Sequence, residues 1–441
     1  MLSVSAMRFH PNNPVSNRRL KKDSLLPDRL VTTRTRPYSD LHMEQHDAAV
    51  IGAGAAGLAA AATLRRRGVN PVIFERASAV ADSWRNRYDR LRLNTHRRLS
   101  DMPGYRFSRE FGRYPSRDDV VAYLERYAAH HGLEIRFNTT VSQLERNVEG
   151  WTLHTSSGPI DARFVIVATG YDKEPFIPDW PGTREFTGDL RHAASYRNVD
   201  PYRGRDVLVV GSGNTASDVA TDLAEGGVHR VRISIRTPPN IFPRDILGVS
   251  AQYTTIIGEK FPRIFDRVGF VSQRLRYGDV ESHGLPRPTV GLQTHFRESC
   301  HGPMIDEGFV DAVKGGRIEV VAAVEKFDLS EVVLRDGDRI RPDVVLAATG
   351  YRRGLEPLVS EFGVLRQDGR PLVHGSNTHP NAPDLYFIGF VRKISGQLRP
   401  MRREAKGIAR SIAIVRSKDA HRAIGPQHQP IAERTTASLK S

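Results

Sequence analysis

The sequence predicts an α/β fold with two parallel-sheet nucleotide-binding units, and three observations carry that expectation. A short apolar strand, a glycine-rich turn and a helix-forming stretch occur in that order twice: residues 47–51 with Gly52-Ala-Gly54-Ala-Ala-Gly57, and residues 206–210 with Gly211-Ser-Gly213-Asn214-Thr215-Ala216. Each is followed by a second apolar strand, the first ending in Glu75 and the second in Arg236-Thr237. Two further segments, residues 164–171 and 344–351, are nearly the same strand closing on Ala-Thr-Gly-Tyr. Strand, helix and strand in that repeat read as Rossmann-type dinucleotide-binding units.

In the first unit each glycine has a physical task. Gly52 permits the tight turn, Gly54 lets a pyrophosphate approach the backbone, and Gly57 lets helix and strand pack closely. The anion would rest on the free N–H groups of the helix N-terminus. Gly68 closes the helix and residues 70–75 form the next strand, so Glu75, eighteen residues after Gly57, stands where a carboxylate accepts from ribose hydroxyls. At the start of a chain, a unit ending in Glu points to FAD. In the second unit the equivalent strand ends in a cation. A 2′-hydroxyl wants a carboxylate and a 2′-phosphate wants Arg, so Arg236 points to NADPH rather than NADH. Its plain alternative is a solvated charge at a strand end. Ala216 in place of the third glycine is an accepted variant.

Two such sites in one chain imply electron passage from nicotinamide to flavin. The turns at Gly170 and Gly350 would bring the chain back beside each nucleotide unit. Residues 385–390 read as a buried strand whose Gly389 suits close passage under a flavin, and a helix over 399–415 would return to the first unit. The expected organisation is a disordered basic extension (1–42), the first part of an FAD-binding domain (43–200), an inserted NADPH-binding domain (201–345), the return segment of the FAD domain (346–415) and a flexible basic tail (416–441). Residues 245–303 show no clear period and many Gly, Pro and aromatic residues, which predicts an irregular insertion over the cleft between the domains. Its Tyr253, Phe261, Phe265 and Tyr277 either shape a substrate pocket or belong to the core.

With 441 residues, 39% hydrophobic and 26% charged, the chain is long enough for two domains and reads as globular. Its net charge is +15, of which residues 1–42 carry +5 and residues 399–441 carry +7. Charge gathered at the ends favours flexible arms over a basic binding face, so no nucleic-acid partner is expected. The single cysteine, Cys300, excludes an internal disulfide and a CxxC pair, and reads as an inert thiol. The longest apolar run, residues 48–64, is broken by three glycines and falls short of the roughly 20 residues that span a bilayer. No membrane span and a cytoplasmic location are expected. Residues 1–42 lack the apolar core of a secretory signal. They read as an extension without function or one added by an upstream start codon, with a targeting arm as the alternative. His96, His130, His131, His295 and His301 lack metal-ligand spacing, and no metal site is expected.

Between the two units lies Phe186-Thr-Gly188-Asp-Leu-Arg-His192-Ala-Ala-Ser-Tyr196. This stretch resembles the FxGxxxHxxx(Y/F) fingerprint of flavin-containing monooxygenases; Baeyer–Villiger relatives carry Trp-Pro where this chain has Tyr196-Arg197. The resemblance spans residues 45–415. It includes Trp84-Arg85, Tyr88-Asp89-Arg90-Leu91, and Gly284-Leu285-Pro286-Arg287-Pro288 leading to Asp306-Glu307-Gly308, pieces similar to the branch that holds the plant YUCCA enzymes and their bacterial relatives. One position departs from that branch. Asn94-Thr95 stand six residues after Tyr88 and Pro103 fifteen after it, the spacing around the active-site Asn of animal flavin-containing monooxygenases. The YUCCA pattern lacks Asn there.

The resemblance implies a disulfide-reductase-like flavoprotein architecture, an FAD domain with an inserted NADPH domain, and NADPH-dependent monooxygenation. In that cycle NADPH reduces FAD, NADP⁺ stays bound, and O₂ adds to the reduced flavin as a C4a-hydroperoxide. The distal oxygen then passes to a small organic substrate, either a nitrogen or sulfur compound or a 2-oxo acid. The cofactor supplies the chemistry while the protein positions it and excludes water, so no catalytic triad or paired carboxylate is needed. The candidate catalytic residues are Asn94, His192 and Tyr196. Asn94 would hydrogen-bond the oxygenated flavin or NADP⁺, unless it is a turn residue with Thr95 as a helix cap. His192 would act at the domain junction and not as an acid or base. The candidate cofactor-binding residues are Gly52, Gly54, Gly57, Glu75, Trp84, Arg85, Gly170, Gly211, Gly213, Asn214, Thr215, Arg236, Thr237, Gly350 and Gly389. Competing readings are an NADPH oxidase or reductase that passes electrons to O₂, a quinone or a partner, a Baeyer–Villiger monooxygenase, and a flavoprotein that has lost its chemistry. The oligomeric state is open.

Overall fold

The computed structural model describes residues 44–423; the predicted extension 1–42 and residues 424–441 of the predicted tail lie outside them. Strand β1 (Gln45–Ile51) is buried over its last four residues, as a parallel strand covered on both faces must be. It pairs in parallel with β2 (Pro71–Phe74) on one side, and β3 (Glu134–Arg136) extends that edge. The antiparallel strands β4 (Val141–Arg146) and β5 (Trp151–Thr155) lead to β6 (Gly158–Val167), which pairs in parallel with the other side of β1. The order is β3-β2-β1-β6-β5-β4. Much later, strand Leu385–Phe387 pairs in parallel with the end of β6, returning the chain to this sheet.

Helix α1 (Ala55–Arg65) follows the first glycine turn and is buried from Ala55 to Leu64. A helix apolar all round belongs in a core, and its run of alanines lets it lie close to both neighbours. The sheet covers one side. The C-terminal helix Leu398–Ala423 covers another with Ala405, Ile408, Ala409 and Ile412, in the same core as Leu58 and Leu64. That helix outruns the predicted end at 415, so residues 416–423 are helical rather than tail. Arg416 donates to the carbonyl of Gly68 (2.9 Å) and Asp419 pairs with Arg163 (3.3 Å), which holds the last turns against the first sheet. Helix α2 (Asp82–Arg85) is a single turn, and α3 (Arg117–His130) starts with a capping box between Ser116 and Asp119.

The second sheet is inserted between β6 and Leu385–Phe387. Its order is Glu319–Val321, Arg230–Ser234, Asp206–Val210, Val344–Ala347 and Asp189–His192, all parallel. Helix α4 (Asn214–Glu225) follows its glycine turn. The last strand named shifts a boundary: residues 189–192 lie with the second sheet, before the expected junction at 200, because they complete the open edge of Val344–Ala347.

The stretch 245–303, expected to be irregular, is largely helical: α5 (Ala251–Gly258), α6 (Pro262–Tyr277) and α7 (Leu292–Ser299). Its period is hidden because α6 turns Asp266, Gly269 and Gln273 inward and leaves Ile264, Val268, Val271 and Leu275 exposed. Tyr277 is buried, Tyr253 and Phe261 are exposed, and Phe265 stacks on Phe242 with centroids 6.0 Å apart. No described helix is long and apolar enough to cross a membrane.

Candidate active site

The two glycine turns repeat one construction. Gly54 caps α1 in extended backbone, with no side-chain cap and no acidic residue in the first turn, so the helix N-terminus is open to an anion. A Cβ placed on Gly54 would find no atom within 4 Å, whereas one on Gly57 would lie 1.9 Å from the carbonyl oxygen of Gly52. Gly54 therefore faces free space and Gly57 faces main chain. In the second unit Gly213 caps α4 in the same way and also faces free space. The first glycines, Gly52 at φ +107° and Gly211 at φ +146°, lie against the carbonyls of Ala168 and Ala348, which a Cβ would approach to 2.7 and 2.6 Å. The paired Ala-Thr-Gly-Tyr segments thus close against the first glycine of each turn. At the end of β2, Glu75 is buried, and its carboxylate accepts from the N–H of Ala53 (2.6 Å) and of Ala77 (2.9 Å).

Above the first turn opens a cleft of about 590 Å³. Of the residues singled out from sequence, Gly52, Gly54, Glu75, Trp84, Asn94, Gly170, Asn214 and Gly389 line it. Two polar atoms on its wall, Thr169 Oγ1 and Gln397 Oε1, are buried without a hydrogen-bond partner. Unpaired buried polar atoms cost free energy, so both are free to bond a molecule that enters the cleft. An open helix N-terminus, a free space over Gly54 and the Glu75 carboxylate fit a flavin dinucleotide.

The other predicted residues lie outside this cleft. Gly57 serves the packing of α1. Arg85 donates to the Val80 carbonyl (3.0 Å) and pairs with Glu125. Tyr196 is buried in the core of the second unit with its hydroxyl donating to Asp222 (2.7 Å), so the structure does not bring it to a reacting centre. His192 is nearly buried, and burial lowers its pKa. Its Nδ1 accepts from Ala194 N–H (3.0 Å), which leaves Nε2–H to donate to the carbonyl of Gly350 (2.9 Å). A neutral imidazole with both nitrogens used is a brace between strand Asp189–His192 and the second Ala-Thr-Gly turn. Gly211, Gly213, Thr215 and Gly350 belong to the second glycine turn and its neighbour, with Asn214 reaching the cleft. Arg236 and Thr237 are exposed at the end of strand Arg230–Ser234.

Asn94 is held by its loop. Leu93 N–H donates to Pro115 O (2.8 Å), Arg97 N–H to Arg113 O (3.0 Å) and Arg117 N–H to Leu91 O (2.8 Å), which pins residues 91–97 alongside residues 113–117. The orientation of the amide comes from far along the chain. Arg244 Nη2 donates to Asn94 Oδ1 (3.2 Å), so the Asn94 NH₂ is left as the donor toward the cleft. Arg244 is itself fixed by Glu307 (2.8 Å) and lies over the ring of Tyr114 at 5.2 Å. Gln252 on α5 accepts from His96 N–H (2.8 Å) and donates to the carbonyl of Ser395, joining this loop to the segment after Leu385–Phe387. Burial and the neighbouring Arg113, Arg97 and Arg98 push the His96 pKa down.

Sequence reading missed Arg244, Gln252 and the cleft residues Arg92, Arg392 and Lys393. Gln252 sits in the stretch that showed no period and Arg244 immediately before it, and isolated cations carry no spacing signal. Among the described residues no group of His, Cys, Asp and Glu could hold a metal ion. Cys300 caps α7, with Arg370 Nη1 3.0 Å from its sulfur.

Comparison with known proteins places this geometry. Residues 49–246 match the family model described as pyridine nucleotide-disulphide oxidoreductase. The chain is 34% identical over 353 residues to the indole-3-pyruvate monooxygenase YUCCA1 of Oryza sativa subsp. japonica, covering 78% of this chain and 87% of that protein. Among solved structures, the flavin-containing monooxygenase from Stenotrophomonas maltophilia superposes with a TM-score of 0.66 at 22% identity, over 85% of this chain and 99% of the other. The bacillithiol disulfide reductase from Staphylococcus aureus superposes at 0.63 with 19% identity, again over 85% and 99%. These two show the shared two-unit fold.

Proposed function

The chain belongs to the flavin-containing monooxygenase family, whose members use FAD and NADPH, and on that premise we propose that it is an NADPH-dependent monooxygenase acting on a 2-oxo acid. Bound FAD, reduced by NADPH, supplies the activation of dioxygen and the delivery of one oxygen atom to the substrate. The observation that carries the proposal is the cleft over the first glycine turn with the cations Arg92, Arg392 and Lys393 on its wall. Arg244 binds the Asn94 carbonyl oxygen, which leaves the N–H₂ as a free donor; facing oxygen on the bound flavin it would be a preorganised dipole of the kind that stabilises developing negative charge. Gly54 and the N-terminus of α1 would carry the FAD pyrophosphate, and Glu75 would accept from its ribose. Arg236 and Thr237 would receive the 2′-phosphate of NADPH.

Arg92, Arg392 and Lys393 on the cleft wall suit a substrate carboxylate, and the YUCCA relatives are named as indole-3-pyruvate monooxygenases. The balanced reaction is R–CO–COOH + O₂ + NADPH + H⁺ → R–COOH + CO₂ + H₂O + NADP⁺. Asn94 favours a second reading, oxygenation of an amine or thioether, since the YUCCA pattern lacks that amide.

The test is rapid-mixing spectroscopy on the purified flavoprotein. It is reduced without air by NADPH or by NADH, then mixed with O₂ alone, with indole-3-pyruvate, or with a thioether. Faster reduction by NADPH, a slowly decaying near-ultraviolet species with O₂, and acid plus CO₂ from the oxo acid are expected. Sulfoxide in place of acid selects the second reading. Immediate return to oxidised flavin with full hydrogen peroxide release in every mixture refutes both and favours an oxidase.

A further inference from the structure

Helix α6 is amphipathic in the wrong sense for a helix of a self-contained protein. Phe261, Ile264, Val268, Val271 and Leu275 recur at steps of three and four residues, one side of a helix of 3.6 residues per turn. That side faces out: the last four are 60–81% exposed. The inward side carries Asp266, Gly269, Gln273 and Tyr277. Nor is the helix loosely attached by its polar side. The Asp266 carboxylate accepts from Gln293 N–H (2.7 Å), Thr294 N–H (3.1 Å) and the Thr294 hydroxyl (2.7 Å), capping α7, and Gln273 accepts from Ile241 N–H (3.1 Å). Specific bonds therefore fix the apolar stripe outward, where water makes it costly. Before α5, the hairpin turn at Leu247 exposes a second apolar group, with Leu247 fully exposed and Val249 more than half exposed.

Charge decides what covers this surface. Lys260, Arg263, Arg267, Arg274 and Arg276 are exposed along the same helix and its start, and none forms a salt bridge among the described residues. The only carboxylate on α6 is Asp266, which is turned inward. A second copy would bring two such rows of cations together with nothing on α6 to offset them. The sequences at both chain ends carry net positive charge as well. A nucleic acid would satisfy the arginines and leave the stripe in water. An anionic bilayer satisfies both: the apolar side enters the acyl boundary while the long cationic side chains reach the phosphates.

We propose that α6, with the Leu247 hairpin, is a docking surface for a lipid bilayer carrying anionic headgroups, on which the protein lies without spanning it. The same insert lines the cleft through Ala251, Gln252, Thr255 and Phe296, so docking sets the cleft beside the bilayer. The inference is independent of the oxygenation chemistry.

The test is sedimentation of the purified full-length flavoprotein with phosphatidylcholine vesicles, made with or without phosphatidylglycerol. Two variants accompany it, Val268→Asp/Leu275→Asp and Arg267→Glu/Arg274→Glu. All four positions are exposed, so both variants should retain flavin and wild-type NADPH oxidation. Partition of the wild type into the anionic vesicles, weakened by salt and at least about tenfold lower in each variant, is the expected result. The inference is overturned if the wild type stays in solution, if it binds neutral vesicles equally, or if the variants bind like the wild type. Light scattering on the same samples gives the remaining outcome. A dimer that Val268→Asp/Leu275→Asp dissociates, with no vesicle binding, assigns the stripe to a second copy and overturns it as well.

Discussion

Gly57→Ala and Gly54→Ala differ by one methyl group each, yet the geometry separates them. The Cβ at residue 57 would sit 1.9 Å from Gly52 O, 3.1 Å from Gly52 C and 3.3 Å from Val50 Cγ1. The nearest obstacle is main chain, and that main chain is fixed: Gly52 N–H donates to Phe74 O (2.8 Å), while Gly52 lies against the Ala168 carbonyl. Relief requires α1 to move off the turn by roughly 1 Å. Overpacking of this kind costs about 1–3 kcal/mol, and rigid backbone puts this case at about 3. At roughly 2–4 °C per kcal/mol, the apoprotein should melt about 6–12 °C lower. Gly54, at φ −79° with open space around its Cβ, accepts Ala within about 0.5 kcal/mol in the apoprotein. There the methyl group would instead intrude on the dinucleotide. The assay is thermal unfolding of flavin-stripped protein together with the FAD-to-protein ratio after purification. Gly54→Ala should lose flavin with an unchanged apoprotein Tm, and Gly57→Ala should lose both. An apoprotein Tm for Gly57→Ala within about 2 °C of wild type would refute the packing argument. Equal destabilisation by Gly54→Ala would refute the assignment of open space to the cofactor.

Arg244→Met removes the donor that fixes Asn94 and leaves Glu307 without its partner. One hydrogen bond's worth of orientation, about 1.4 kcal/mol, should raise the share of NADPH electrons lost as hydrogen peroxide relative to product by about tenfold while flavin reduction holds; an unchanged peroxide yield would show that Arg244 does not act through Asn94. Arg236→Glu should raise the KM for NADPH by about 10–100-fold, the loss of a charge-assisted bond to phosphate, and leave that for NADH nearly constant. Parallel changes for both coenzymes would place the 2′-phosphate elsewhere. Burial pushes the Asp218 carboxyl up to about 6, although it accepts from the Tyr88 hydroxyl at 2.7 Å. Because the folded-state value is raised above the unfolded one, its contribution to stability is fully present below pH 3.8 and is lost as pH rises through 6. Asp218→Asn should therefore raise the Tm at pH 8 by an amount that shrinks toward pH 4. A gain that is constant with pH would refute this origin.

The parts of the fold legible in the sequence are those whose signals are local. A parallel strand buried on both faces is a continuous apolar run, and a glycine turn that admits main chain and pyrophosphate has few alternatives, so β1, α1, the strand Asp206–Val210 and α4 could be located directly. Glu75 could be placed because its distance from Gly57 follows from one helix and one strand. Legibility failed where the usual relation between pattern and burial is reversed. The insert looked irregular since α6 buries its polar side, and a pattern of exposed apolar residues gives the reader no inside. It failed also at Tyr196, where a fingerprint residue turned out to be core, and at the end of the C-terminal helix, where bonds from Arg416 and Asp419 to the first sheet carry a charged stretch on as helix.

By itself the sequence determined that this chain builds two dinucleotide-binding units, with Glu75 just after the second strand of one and Arg236 just after that of the other, while Asn94 was singled out by resemblance. Only the tertiary structure decided how that amide is aimed. Arg244 lies 150 residues from Asn94 and Gln252 lies 156 from His96. They meet because the second sheet is inserted into the first and its insert folds back over the cleft. Contacts across that distance leave no period or spacing in the sequence, since each partner is chosen by the shape of the folded chain and not by its neighbours along it.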